Sequence, residues 1–262
     1  LGVVNQGDHV ILLTSPGRQQ AVIDWLDRYT IMEDLVIEDV TAETTMLALI
    51  GPDAGDLLGR SPSQLPQDSL TSRSLSLAGT DVLVVEQPLG SLSRYWLICA
   101  PDAAAGLWQH LTDNGAIPIG ATAMDAVRVN FGVPEYGPEL GEPYNPLEAG
   151  LIGSVDFTKG CYIGQEVIAR LDTYQKIQKH LIRLEFSADA TVSAGDTLND
   201  DGHEVGKVTS VTKLPNGLGL VGMAYVRKAS ASPGNVLELG DPSSGQAEIT
   251  ALPHLFGPDK IS

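Results

Sequence analysis

The chain has 262 residues, 43% hydrophobic and 19% charged, enough apolar side chain to bury a substantial core spread over two or three domains. Thirty-three acidic against sixteen basic side chains give a formal charge of −17, which opposes broad adhesion to nucleic acid, whose phosphates need local positive potential. No run of eighteen apolar residues occurs, so no membrane-spanning helix is expected, and no basic segment followed by an apolar stretch opens the chain.

Leu1 stands without an initiating methionine, which leaves room for a preceding segment. Residues 10–13, all aliphatic, predict a short strand. Ser15 before Pro16 is a sensible cap for the next helix, because its oxygen can accept a free N–H and proline fits a first turn. That helix is predicted over 19–29, where Ala21, Val22, Trp25, Leu26 and Tyr29 recur at helical spacing. Residues 36–40 return to strand-like composition, 45–50 form another strand ended by Gly51-Pro52, and 53–58 a short helix. Residues 61–72, rich in Ser, Pro and Gln, read as a loop. Strands follow at 82–86 and 94–99, then a helix over 103–114 and a last strand near 116–119. Cys99, closing the 94–99 strand, is expected to be a small core hydrophobe. This order is a compact α+β arrangement.

Helical spacing returns over 123–131. A stretch rich in glycine, proline and tyrosine, 134–153, then lacks regular periodicity and suggests a functional loop or a domain junction. From residue 181 the pattern changes to short strands and turns: alternation at 181–186 and 204–209, an apolar stretch at 217–226, and strands at 236–239 and 247–250. Asn199-Asp200-Asp201-Gly202 is a strong turn signal. This end predicts a small antiparallel barrel or sandwich, with a boundary near 178–182.

The stretch richest in chemistry is Lys159-Gly160-Cys161-Tyr162-Ile163-Gly164-Gln165-Glu166, which continues to Arg170. It sets one of only two cysteines between glycines, beside a lysine and just ahead of a helix start, where positive charge and free N–H groups favour a thiolate. Redox, cluster-related or covalent chemistry at Cys161 stands beside shape-specific packing. Gln165 and Glu166 suit the helix start, where they would hold the loop in shape. Two cysteines are too few for a disulfide framework and suit a reducing, cytoplasmic compartment. Lys159, Arg170, Lys176, Lys179 and Arg183, with His180 among them, form either a solvated basic face or an anion-binding surface for a polyglutamate, a phosphate or an RNA backbone. The five histidines show no zinc spacing, so no metal ligands are named, and no complete phosphate-binding loop or dinucleotide fingerprint occurs.

Arg128-Val129-Asn130-Phe131-Gly132-Val133-Pro134-Glu135-Tyr136-Gly137-Pro138-Glu139-Leu140 begins a longer ordered run. It resumes at Asn145-Pro146-Leu147-Glu148-Ala149-Gly150-Leu151 and reaches Asp156-Phe157-Thr158-Lys159-Gly160. Residues 124–170 thereby resemble the family of the glycine-cleavage aminomethyltransferase (T-protein), and the Lys-Gly-Cys-Tyr-x-Gly-Gln-Glu motif looks most like its YgfZ branch. The resemblance implies an α+β fold: a cloverleaf of two α+β domains, the first discontinuous, plus a C-terminal antiparallel β-barrel. Residues 1–35 and 120–180 would form the first domain, 36–119 the insert and 181–262 the barrel. It also implies binding of tetrahydrofolate or another reduced folate, and a role in maintaining iron–sulfur enzymes, with an indirect link to transfer-RNA modification. The partners would be iron–sulfur enzymes or assembly factors, and the chain itself a monomer.

By the same resemblance Arg128, Asn130, Tyr136, Glu148, Lys159, Gln165 and Arg170 are candidates to bind the cofactor, with Cys161 as the functional thiol. Each has a plainer reading. Arg128 could fasten a ligand carboxylate or face acidic residues of the scaffold. Tyr136 could stack on an aromatic ligand or pack at a domain junction. Glu148 could accept from a pterin ring or cap a loop. Asn130 stands where aminomethyltransferases carry a glutamate, and an asparagine lacks the charge to pair with a protonated pterin edge. The family's catalytic-region aspartate has no identified counterpart. Both departures favour the accessory role over aminomethyl transfer, which stays as the alternative.

Overall fold

Local hairpins and one four-stranded sheet account for the first part of the chain. The computed structural model describes residues 1–173, 177–240 and 244–251, and divides into two units, Leu1–Pro118 and Ile119–Ser262.

In the first unit, β1 (Gly2–Asn5) and β2 (Val10–Leu13) pair antiparallel, and α1 (Gln19–Tyr29) follows. The Ser15 expectation fails. The Ser15 carbonyl accepts the Arg18 N–H at 3.1 Å in a turn, and α1 starts only at Gln19, with no side-chain cap. Strands β3 (Thr45–Ile50), β4 (Ser72–Leu77), β5 (Thr80–Glu86) and β6 (Arg94–Cys99) form an antiparallel sheet in the order β3-β6-β5-β4. Short α2 (Ala54–Leu57) lies between β3 and β4, and α3 (Ala104–Asp113) follows β6. The two-residue period of β6 buries Tyr95, Leu97 and Cys99, and the four-residue spacing of Leu107 and Leu111 brings α3 into the same core. Burial, with Asp102 nearby, pushes the Cys99 thiol pKa up, as befits a core residue.

Two local readings need correction. Residues 36–40 and 116–119 are irregular, with Val36 and Ile117 largely exposed. Their β-branched composition had no ladder to join, and strand propensity without a partner holds no strand. The stretch read as loop holds up to Ser72, where β4, a strand despite its serines, begins. Ala78 and Gly79, both at positive φ, make the tight turn that pairs it with β5.

The second unit opens with α4 (Ala121–Asn130) and, after a long turn-rich segment, α5 (Gln165–Thr173). Strands β7 (Lys179–Phe186), β8 (Thr197–Asp200), β9 (His203–Lys213), β10 (Leu220–Arg227), β11 (Val236–Leu239) and β12 (Gln246–Ala251) close an antiparallel barrel in the order β10-β7-β12-β11-β8-β9. The expected choice between barrel and sandwich thus falls to the barrel. Its interior holds Ile182, Leu184, Leu198, Val208, Ala224, Val226, Leu237 and Ile249. Asp201 and Gly202, both at positive φ, make the β8–β9 turn.

The outer face of β7 and β10 is also covered. Leu181, Val221, Met223 and Tyr225 pack there with Val129 of α4 and Ala149 of the turn-rich segment. Strand β10 is therefore buried on both faces. Gly222 is required within it, because a Cβ would stand 2.6 Å from the Ser210 carbonyl and 2.7 Å from the Phe186 ring. Among the described residues no helix is long and apolar enough to cross a membrane.

Candidate functional site

The last turn of α4 places Arg128 against the barrel with 8% of its surface exposed. Its guanidinium donates to Asp125 at 2.7 Å and to the wholly buried Glu139 at 2.9 Å, contacts Glu135 at 3.0 Å, and donates to Ser210 Oγ of β9 at 3.0 Å. Glu139 also accepts the Ser210 hydroxyl at 2.5 Å and the Glu135 backbone N–H at 3.0 Å. Tyr225 donates its hydroxyl to the Glu139 carbonyl at 2.9 Å. Both carboxylate oxygens of Glu139 and three arms of Arg128 are thus engaged, the condition under which a buried ion pair is tolerated. Of the two readings of Arg128, the scaffold one describes this geometry. Sequence reasoning did not single out Glu139 and Ser210 as its partners; the available signal was an acidic residue inside the ordered run at 128–140.

Asn130 closes α4 two residues later. Arg183 of β7 donates to its side-chain oxygen at 3.0 Å and to its backbone carbonyl at 2.7 Å, while also reaching Thr250 Oγ at 2.6 Å and Glu185 at 2.9 Å. The Asn130 oxygen is therefore turned to the barrel, and its NH2 group is the side that can donate to a ligand.

Asn145 and Glu148 form a reciprocal cap. The Asn145 side-chain oxygen accepts the N–H groups of Leu147 and Glu148 at 3.0 Å each, Pro146 occupies the first turn, and Glu148 Oε2 lies 3.5 Å from the Asn145 N–H. Glu148 is buried, at 9% exposure, yet this cap uses little of a carboxylate's capacity of about four acceptor positions. Tyr144 stacks on Tyr225, ring centroids 3.6 Å apart. Burial, then Tyr144, Glu148 and Glu139, push the Tyr225 hydroxyl pKa far up, so it stays a protonated donor. Tyr136 is about half exposed in the loop, bridged to Leu140.

The Lys-Gly-Cys motif is built differently. Asp156 accepts the Thr158 hydroxyl at 2.7 Å and the N–H groups of Thr158 and Lys159 at 2.8 and 3.1 Å; these bonds, led by the hydroxyl, hold its carboxyl below the usual range. The Lys159 ammonium stands 4.8 Å above the Tyr162 ring, and Gln165 accepts the Tyr162 N–H at 3.3 Å, so these two candidates meet at Tyr162. Gly164, at φ +88°, turns the chain into α5. Cys161 and Arg170 are exposed. Lys176, one member of the expected basic cluster, lies outside the described residues. Among the described residues no group of three or more His, Cys, Asp or Glu is placed to hold a metal ion.

A buried Arg–Glu–Ser fastener, a capped glutamate with spare acceptor capacity and an exposed thiol turn thus share the unit that carries the closed six-stranded barrel. Residues 3–159 match the GCVT N-terminal domain family, and the chain belongs to that family, within the aminomethyltransferase superfamily. It is 36% identical over 256 residues to a chloroplastic candidate transferase of Arabidopsis thaliana, covering 94% of this chain and 57% of the relative. It is 31% identical over 201 residues to an aminomethyltransferase of Halothermothrix orenii, covering 74% of this chain and 56% of that protein. The chain thus spans a little over half the length of these curated relatives. The crystal structure of the glycine-cleavage aminomethyltransferase T of Bartonella henselae superposes with a TM-score of 0.74 at 21% identity, over 92% of this chain and 67% of that one. The fold is aminomethyltransferase-like: α+β with a C-terminal antiparallel barrel.

Proposed function

We propose that this chain is a tetrahydrofolate-binding accessory protein of the YgfZ branch, supporting maintenance of iron–sulfur enzymes and, through them, transfer-RNA modification. The observation that carries the reading is the exposed Cys161 at the tip of the Lys159–Glu166 turn, in a chain that belongs to the GCVT family. A thiol kept only as packing would be covered, as Cys99 is.

The residues present suit a neutral hydrogen-bonding ligand edge such as a pterin. Glu148 can accept from ring N–H groups, while Asn130 can offer its NH2 group and carries no charge to pair with a cation. Tyr136 offers a half-exposed ring for stacking, and Arg170 and Lys159 offer positive charge to an anionic tail. Arg128 contributes by fixing α4, and Gln165 by shaping the thiol turn. The proposed partners are iron–sulfur enzymes or their assembly factors, and the proposed compartment is the cytoplasm.

Calorimetry with reduced folates on a full-length, reduced preparation tests the cofactor, and saturable binding is expected. Transfer-RNA methylthiolation in the native organism tests the role. Cys161→Ala and a deletion should both lower it, and normal modification in both would reject the assignment.

A second reading, aminomethyl transfer from a lipoyl-borne carrier to tetrahydrofolate, is favoured by the Halothermothrix orenii relative's name. Asn130 in place of a carboxylate argues against it. Turnover above a no-protein control in a reconstituted glycine-cleavage assay would establish it in place of the accessory role.

A further inference from the structure

At one end of the barrel's outer face, beyond the cover supplied by α4, lies a cleft of about 210 Å³ lined by Tyr144, Lys179, Glu204, Gly206, Lys207 and Arg227, with Tyr225 and Val205 in its wall. Three cations face one carboxylate there, in a chain whose overall charge is −17. The strand register makes the crowding of charge specific. Lys179 of β7 stands directly opposite Arg227 of β10, and Lys207 of β9 directly opposite Tyr225, two residues before Arg227 on the same face. Like charges directly opposite on neighbouring strands are destabilising.

The protein does little to relieve that repulsion. Among the described residues, none of the ion pairs includes Lys179, Lys207 or Arg227, and the Lys179 ammonium finds only the Tyr144 ring, 5.8 Å away. Gly206, in the cleft wall, admits no side chain, since a Cβ directed to the barrel interior would strike the Tyr225 carbonyl and Val226. Its volume is several times the roughly 30 Å³ that one water occupies in the liquid, so it admits an anion with several oxygens and is too large for a lone halide to fill.

We infer that this cleft is a binding site for a small, multiply charged oxyanion, whose oxygens are held between Lys207 on one side of Tyr225 and the Lys179–Arg227 pair on the other. Bound there, the anion replaces like-charge repulsion with charge-assisted hydrogen bonds. A phosphate-type and a carboxylate-type ligand share this chemistry. The inference does not rest on the folate reading: it uses none of the residues proposed for that cofactor, and of the basic set read from the sequence it uses Lys179 alone.

Calorimetry at low ionic strength on the whole chain, with pyrophosphate and separately with triglutamate, is the test. We expect saturable one-site binding of at least one probe, weakening as salt is added. Pyrophosphate binding alone identifies the phosphate type, and triglutamate binding alone the carboxylate type. Lys207→Gln and Arg227→Gln should each weaken binding about tenfold or more, the loss expected for one charged hydrogen bond. Lys213→Gln, on the same strand but outside the cleft, should leave it within about twofold. Thermal unfolding adds a readout that a structural role would not mimic. Without ligand, Arg227→Gln should match or exceed the parent's Tm, and it should lose the ligand-induced rise. Absence of saturable binding by both probes, binding indifferent to both cleft variants, or a fall in the unliganded Tm of Arg227→Gln would overturn the inference.

Discussion

Two stretches of the same ordered motif, 128–150 and 156–165, are built on opposite principles. In the first, Arg128 and Glu139 reach Ser210 across 82 and 71 residues of sequence, and Tyr225 closes on the Glu139 carbonyl from 86 residues away. In the second, the described side-chain hydrogen bonds span two or three residues: Asp156 to Thr158 and Lys159, Gln165 to Tyr162. The first stretch ties the helix to the barrel. The second shapes its own turn and leaves Cys161 at the surface. A continuous run of family-like residues therefore mixes fasteners of the fold with groups free to do chemistry, and burial with long-range partners tells them apart.

The largest test of that contrast is Glu139→Ala. Removing one member of a buried pair leaves the guanidinium of Arg128 partly uncompensated and should cost about 3–5 kcal/mol in urea unfolding. A loss below about 1 kcal/mol would show that Asp125 and Glu135 suffice to hold Arg128. Gly222→Ala comes next. Its Cβ would overlap the Ser210 carbonyl and the Phe186 ring, an overpacking worth about 1–3 kcal/mol by the same measurement. Asn145→Ala removes a cap from two N–H groups and should cost about 1 kcal/mol.

His180, partly buried at the start of β7, gives the contrast a pH dependence. Burial, and then the charge of Lys228, lower its pKa in the folded state. The unfolded chain then binds the proton more readily, so this contribution to stability is complete above about pH 6.5 and is lost as pH falls toward the lowered folded value. His180→Gln should flatten that part of the acid limb, and an unchanged slope would place the titration elsewhere. The smallest effect belongs to the exposed turn. Cys161→Ser should shift stability by no more than about 0.5 kcal/mol. Native-state alkylation should label Cys161 and spare Cys99, which is 5% exposed, until the chain unfolds. Labelling of Cys99 at a comparable rate would mean that the first unit's core opens readily.

Much of this molecule follows from local chemistry alone. Period-two burial set β6 and β11, helical spacing set α1 and α4, the Asp201-Gly202 turn set a hairpin, and the Gly164-Gln165 junction set the start of α5. These depend on neighbours one to four residues apart, which a sequence displays directly. The partners of Arg128 and Asn130, the closure of the barrel and the Lys179–Arg227 apposition do not. Strand β9 shows why. Val208 and Ser210 share parity, so simple alternation would put them on one face. The irregularity in the β9–β10 register between them turns Val208 into the barrel core and Ser210 outward to Arg128 and Glu139. A bulge is chosen by the strands it must join. Which residues share a site was therefore decided by how distant strands came into register, after the local pattern had determined where those strands would be.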